Sequence, residues 1–263
     1  MTELLAPAKI NLALVVGPRL PDGRHEVATV LQRISLADRI ALEPADALVV
    51  EGFAEDTLVR RALEALAAAA GTTPGWRVTI EKQIPVAAGL GGGSSDAAAA
   101  LRLANWALRR PLADPALHEL AAGLGADVPF FLTTGPHLGE GDGTVLTPLA
   151  LPHDYWVLLL LPHGERKEST AAVYDAFSGD EGFAERRAAL QRALALGDLA
   201  ALPPNDLVSS PLAEKMRARG ALRADVSGAG PAVYGLFAEQ EEALTAHAEL
   251  SGEGATWVAA PAW

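Results

Sequence analysis

Apolar and polar positions alternate with two different periods along this chain. From Lys9 to Val16 a two-residue alternation runs into a branched apolar stretch, which predicts a β-strand. Pro18, Pro21, Asp22 and Gly23 predict a turn after it. Further strands are expected over Val27–Ile34, Arg39–Leu42, Leu48–Glu51 and Trp76–Glu81. Between Thr57 and Ala70 apolar residues recur at helical spacing, so a helix is expected there, capped by Asp56 or Thr57 and stopped by Gly71. Pro85–Ser95 reads as a loop and Asp96–Arg110 as a helix ending before Pro111. Another helix takes Asp114 as N-cap, Pro115 as its first residue, and runs to Gly123. Gly135–Gly143 is rich in turn formers.

Beyond Pro148–His153, Tyr155–Leu161 is a buried strand, and helical patterns cover Ser169–Phe177, Phe183–Leu196 and Asp206–Arg219. Ala224–Ser227 and Ala232–Phe237 are expected to pair around the Gly228–Pro231 turn. A helix over Glu239–Leu250 and a strand over Thr256–Ala259 complete the chain. Strands mixed with helices in both halves imply an α+β fold with mixed and antiparallel sheets, divided into an N-terminal domain of 1–150 and a C-terminal domain of 151–263.

Composition narrows what such a fold does. The chain has 263 residues, half of them hydrophobic, and a formal net charge of -12. That charge excludes nucleic acid as a partner, because such binding depends on clustered Lys and Arg. It also means that an anionic ligand must be met by local donors. With Cys 0, disulfides, thiol nucleophiles and Cys-based metal sites are excluded. The N-terminus lacks the pattern of a signal peptide, and no apolar run approaches the ~20 residues of a membrane span. A cytoplasmic protein without a membrane partner is expected, as monomer or homodimer.

The most informative segment is Gly89, Leu90, Gly91, Gly92, Gly93, Ser94 and Ser95, which opens an alanine-rich helix. Glycines let the backbone approach a ligand and turn its N–H groups inward, and a helix start adds unpaired donors and the positive end of a dipole. Together they make an anion site, in which Ser94 and Ser95 offer hydroxyls to phosphate or magnesium. No Gly-Lys pair exists, so this is not a Walker A loop, and Ser94 stands where a dinucleotide fingerprint needs glycine. Taken alone the loop is also readable as a flexible connection, with Ser94, Ser95 or Asp96 capping the helix.

Other segments accompany it in order: PAKINL (Pro7–Leu12) with DGRHEV (Asp22–Val27), KQIPVAAGLGGGSSDAA (Lys82–Ala98), GADVPFFL (Gly125–Leu132) and VSGAGPAVYGLF (Val226–Phe237). This set resembles the GHMP kinases over nearly the whole chain, with STAAVYDAF (Ser169–Phe177) and NDL (Asn205–Leu207) similar to weaker signatures. The resemblance implies a two-domain α+β fold with the active site in the interdomain cleft. It also implies Mg2+-assisted transfer of the ATP γ-phosphoryl group to the 2-hydroxyl of a cytidine-diphosphate-linked methylerythritol, in non-mevalonate isoprenoid precursor synthesis.

By the same resemblance, Asp127 is the base that accepts the hydroxyl proton, or else orients that hydroxyl, and Lys9 neutralises charge beside it. Lys82 and the loop Gly89–Ser95 hold the nucleotide. Asn11, Arg24, His25, Gly228 and Gly230 contact the substrate. Taken in isolation, Asp127 is a turn or cap carboxylate, Lys9 a strand-edge lysine, Asn11 a strand-end polar residue, His25 an exposed histidine, Lys82 a solvated strand end, and Gly228–Pro231 a hairpin turn. Three positions depart from the family pattern. Arg24 stands in place of a tyrosine that stacks on cytosine, Thr57 in place of an asparagine, and Ala229 in place of a serine. Another GHMP small-alcohol kinase and a silent nucleotide-binding relative are the alternatives, the first favoured by Arg24. Retention of both Lys9 and Asp127 argues against the second.

Overall fold

The computed structural model describes residues 1–53, 57–164, 169–179 and 181–263. Packing divides the chain into two compact units that interleave along the sequence. One comprises Met1–Ala8, Leu36–Val86 and Gly91–Thr134; the other comprises Lys9–Ser35, Ala87–Leu90 and Gly135–Trp263. Strands β1 (Thr2–Arg19) and β2 (His25–Pro44) contribute residues to both. Two strands were expected where β2 runs unbroken, with Ser35–Asp38 between them. Asp38 is instead fully buried and accepts two backbone N–H groups, which satisfies its carboxylate inside the core.

In the first unit, β4 (Trp76–Glu81) pairs antiparallel with Arg39–Pro44 of β2 and parallel with β3 (Val49–Glu51). The parallel pair needs a crossover, which α1 (Leu58–Ala69) supplies. Val59, Ala62, Leu63 and Leu66 form its buried face, and Thr57 sits at the N-cap without a side-chain bond. Asp56, the other expected cap, lies outside the described residues. Helix α1 packs on α2 (Gly92–Ala107), whose alanines are buried around most of its circumference and permit a close approach. Helix α2 begins four residues before its expected start, taking Gly92–Ser95 out of the loop and into the first turn. In α3 (Asp114–Leu124) the N-cap is Ala113, so Asp114 serves in the first turn at the positive end of the dipole and is not the cap. The short α4 (Val128–Phe131) follows.

In the second unit, the turn-rich stretch Gly135–Gly143 contains β5 (His137–Gly141), and β6 (Val145–Pro148) follows as its antiparallel partner. Strand β5 also pairs with Val27–Leu31 of β2. Its glycines hide the alternation that marks a strand. A second sheet follows the order β10-β7-β9-β8, built from β7 (Trp156–Pro162), β8 (Arg223–Val226), β9 (Val233–Phe237) and β10 (Gly254–Ala259), all antiparallel. Helices α5 (Thr170–Ala176) and α6 (Phe183–Leu196) precede α7 (Pro211–Arg217) and α8 (Gln240–Leu250). The last two close the core of the second sheet over Leu158, Leu160, Met216, Phe237 and Leu250. Helix α7 is shorter than expected because Pro211 opens it and the Ser210 hydroxyl caps Leu212 N. Asp206 lies before it and accepts from Val16 N at 2.8 Å. The two-residue strand β11 (Pro261–Ala262) pairs with β2.

Candidate active site

Strand period two puts Lys9 and Asn11 on one face of β1, and both are buried. The Lys9 ammonium donates to Asn11 Oδ1 at 2.6 Å, and Asn11 Nδ2 donates to Thr29 Oγ1 at 2.8 Å. The amide therefore orients the lysine while β2 orients the amide. Ser227, fully buried, completes the arrangement: its hydroxyl accepts from Asn11 N at 3.3 Å and donates to Gly89 O at 3.1 Å. Lys9 N donates to Leu90 O at 2.9 Å, which fastens the first half of the glycine loop to β1.

Glycine is required where these backbones meet. Gly89 has φ +85, and a Cβ there would lie 2.3 Å from Ser227 O. Gly228 has φ +59, and a Cβ there would lie 3.0 Å from Asn11 Oδ1 and 3.4 Å from Lys9 Nζ. The turn from Gly228 to Gly230 is thus pressed against the lysine and amide, and Asn205 Nδ2 holds it by donating to Gly228 O at 2.6 Å.

The second half of the loop opens α2 in the first unit. Gly91 is its N-cap in the left-handed region, φ 70, and the first helical bond is Ser95 N to Gly91 O at 2.9 Å. The N–H groups of Gly92, Gly93 and Ser94 precede that bond and stand at the positive end of a sixteen-residue helix. Ser95 Oγ and Asp96 Oδ1 are buried without a hydrogen-bond partner among the described residues.

Lys82 is engaged by two carboxylates, Asp38 Oδ2 at 2.5 Å and Asp96 Oδ2 at 2.7 Å. Burial pulls the Lys82 ammonium down, yet the bonds to the carboxylates outweigh it and hold its pKa above the usual value. Desolvation pushes Asp96 up to about 7 against the lowering effect of Lys82. Asp127 stands at the start of α4 in the same unit, and its side chain makes no cap bond to that helix.

His25 is buried in the second unit. Its Nδ1 lies 2.8 Å from Gly17 O, so Nδ1 carries a proton, and in the neutral ring Nε2 is an acceptor. Nε2 has no partner among the described residues. The ring meets Phe177 edge-on at 5.7 Å and lies tilted at 6.1 Å from Tyr174. Arg24 next to it is exposed, with ion pairs to Asp22 at 2.6 Å and Asp142 at 2.5 Å.

Lys9, Asn11, Gly89, Leu90, Gly228 and Gly230 thus gather in the second unit, which also carries Arg24 and His25. The first unit carries Lys82, Gly91–Ser95 and Asp127. Sequence reasoning missed Thr29, Asp38 and Ser227. A hydroxyl before a glycine turn or a carboxylate within a strand bears no local mark of such a role.

Comparison with known proteins accounts for this combination. The GHMP kinases N terminal domain matches residues 57–135, and the GHMP kinases C terminal domain matches residues 185–256. A curated 4-diphosphocytidyl-2-C-methyl-D-erythritol kinase of Symbiobacterium thermophilum is 39% identical over 261 residues, covering 91% of this chain and 92% of the relative. One of Pelotomaculum thermopropionicum is 42% identical over 263 residues, covering 91% and 90%. A crystal structure of 4-(cytidine 5'-diphospho)-2C-methyl-D-erythritol kinase superposes with a TM-score of 0.84 at 35% identity, covering 100% of both chains. Homoserine kinase from Cytophaga hutchinsonii shares the fold, with a TM-score of 0.77 at 16% identity over 99% and 94% of the two chains. The chain belongs to the GHMP kinases and, among them, to the family of the 4-diphosphocytidyl-2-C-methyl-D-erythritol kinases. It is an ATP-dependent small-molecule kinase with the two-domain α+β fold of that family.

Proposed function

We propose that this kinase transfers the γ-phosphoryl group of ATP to the 2-hydroxyl of 4-diphosphocytidyl-2-C-methyl-D-erythritol in isoprenoid precursor synthesis. The carrying observation is the buried His25 Nε2, unpartnered among the described residues, on a ring that meets Tyr174 and Phe177. A cytosine offers the amino donor and flat ring that such a setting recognises, and the relatives named for this substrate match more than nine-tenths of the chain. Arg24, held by Asp22 and Asp142, presents its planar guanidinium to the same end of the substrate.

In the reaction, Asp127 takes the proton of the substrate hydroxyl as its oxygen bonds to the γ-phosphorus. The bond from that phosphorus to the β–γ bridging oxygen breaks, and ADP leaves. Lys9, oriented by Asn11, neutralises charge on the transferring group. The N–H groups of Gly92, Gly93 and Ser94 receive the nucleotide phosphates, and the Gly228–Gly230 turn supports the substrate diphosphate. No carboxylate or histidine cluster able to hold a metal occurs among the described residues. Mg2+ carried by the phosphates needs few protein ligands, and the unpartnered Ser95 Oγ fits it; bound there, it would neutralise phosphate charge.

The deciding experiment measures ADP release with the cytidyl-erythritol substrate, mevalonate, homoserine and galactose. Turnover is expected with the first. Brisk turnover of another alcohol without it would establish a different GHMP kinase, and none with any would indicate a silent relative.

A further inference from the structure

One ammonium holds both ends of the glycine loop. Lys82 sits where β4 ends, and its Nζ reaches Asp96 in the first turns of α2 at 2.7 Å. The same Nζ reaches Asp38 of β2 at 2.5 Å. Asp38 Oδ1 also accepts the N–H groups of Gln83 at 2.5 Å and Ile84 at 2.8 Å, fixing the backbone at the point where the loop departs. The side chains of Asp38 and Asp96 are fully buried, and the Phe53 ring lies 5.7 Å from Nζ. The start of α2 bears directly on this group. A Cβ on Gly92 would lie 3.1 Å from Ile84 Cγ2 and 3.3 Å from Lys82 Nζ.

We propose that Asp38, Lys82 and Asp96 form a positioning clamp that joins the end of β4 to the start of α2 and so sets the spacing of the N–H donors that receive the nucleotide phosphates. The proposal rests on the kinase reading and replaces one element of the sequence expectation. Lys82, expected to reach the phosphates itself, acts through the loop because two carboxylates already hold its ammonium.

The two explanations predict opposite results for Asp38→Asn. If Lys82 contacts phosphate directly, removing one carboxylate frees it and lowers KM for ATP. If the clamp operates, a single amide oxygen serves the backbone or the ammonium but not both, and KM for ATP rises. Both Asp38→Asn and Asp96→Ala leave Lys82 with one carboxylate, so buried charge balance is kept and the fold is expected to survive. Each should raise KM for ATP by about tenfold, the scale of one lost charge-assisted bond, while kcat stays within about threefold. KM for the alcohol substrate should not move. Circular dichroism identifies which variants are folded, and either single variant alone carries the test. An unchanged or lowered KM for ATP in a folded variant would overturn the clamp. A wild-type chain without ATP-dependent turnover would overturn the kinase reading instead.

Discussion

Asp127 stands at the start of α4, where its side chain makes no cap bond to the helix. Asp127→Asn keeps the shape and removes the base, so kcat should fall by about a hundredfold or more with KM for ATP little changed. Steady-state kinetics check this, and an unaltered kcat would remove Asp127 from the mechanism. Asp96 makes a different prediction, about stability. Its carboxyl titrates at about 7 when folded and near 3.8 when unfolded, chiefly through desolvation. Between those values the unfolded chain releases the proton while the folded one keeps it, so this group's effect on stability grows unfavourable as pH rises and levels off above about 7. The Tm of Asp96→Asn relative to wild type should therefore be higher at pH 8 than at pH 5, and an equal difference at both would refute the assignment. Lys9, Asn11 and the glycines were visible as candidates because their residue types are unusual in a strand or a helix start. Asp38 and Ser227 were not, because a buried acceptor is recognisable only from the donor it meets, and Asn11 and Ser227 lie 216 positions apart.

Among the elements, the glycine loop is tied to its surroundings through backbone, where a side chain has no room. Gly89 takes a left-handed conformation with a carbonyl 2.3 Å from where a Cβ would sit. Gly89→Ala should destabilise the chain by about 2 kcal/mol or more, combining the strain of that conformation with displacement of Ser227 O. Chemical denaturation measures it, and a loss below about 0.5 kcal/mol would mean that the loop relaxes without cost. The strands and helices themselves were largely readable. Trp76–Glu81 and Phe183–Leu196 carry their boundaries in local pattern and have the limits expected of them. The start of α2 was misplaced because Gly92 and Gly93 are poor helix formers, and tertiary burial of the alanine face overrides that preference. Strand β5 was missed for a related reason: pairing with β2 supports a glycine-rich strand that has no alternation of its own, and β6 in turn pairs with β5.

Across the whole molecule, the two compact units are each assembled from three separated stretches of chain, so residues distant in sequence must be held by specific bonds. Tyr234 is one such link within the second unit. Fully buried on β9, its hydroxyl donates to Leu12 O at 3.1 Å and accepts from Arg223 Nε at 3.1 Å. Burial holds the phenol neutral by pushing its pKa up to about 12. Tyr234→Phe should cost about 1–3 kcal/mol, because Leu12 O and the Arg223 guanidinium each lose a buried partner. Urea denaturation tests this, and a neutral outcome would show that another group satisfies them. The amino-acid sequence by itself determined the strand and helix alternation, the anion-binding character of the glycine loop, and the motif order that marks the family. All of these depend on residues near one another in the chain. Only the tertiary structure decided that Lys82 would bridge Asp38 and Asp96, that Ser227 would join Gly89 to Asn11, and that His25 would keep one nitrogen unpartnered among the described residues. Those outcomes depend on which donors and acceptors are brought together away from water, and no local periodicity encodes that pairing.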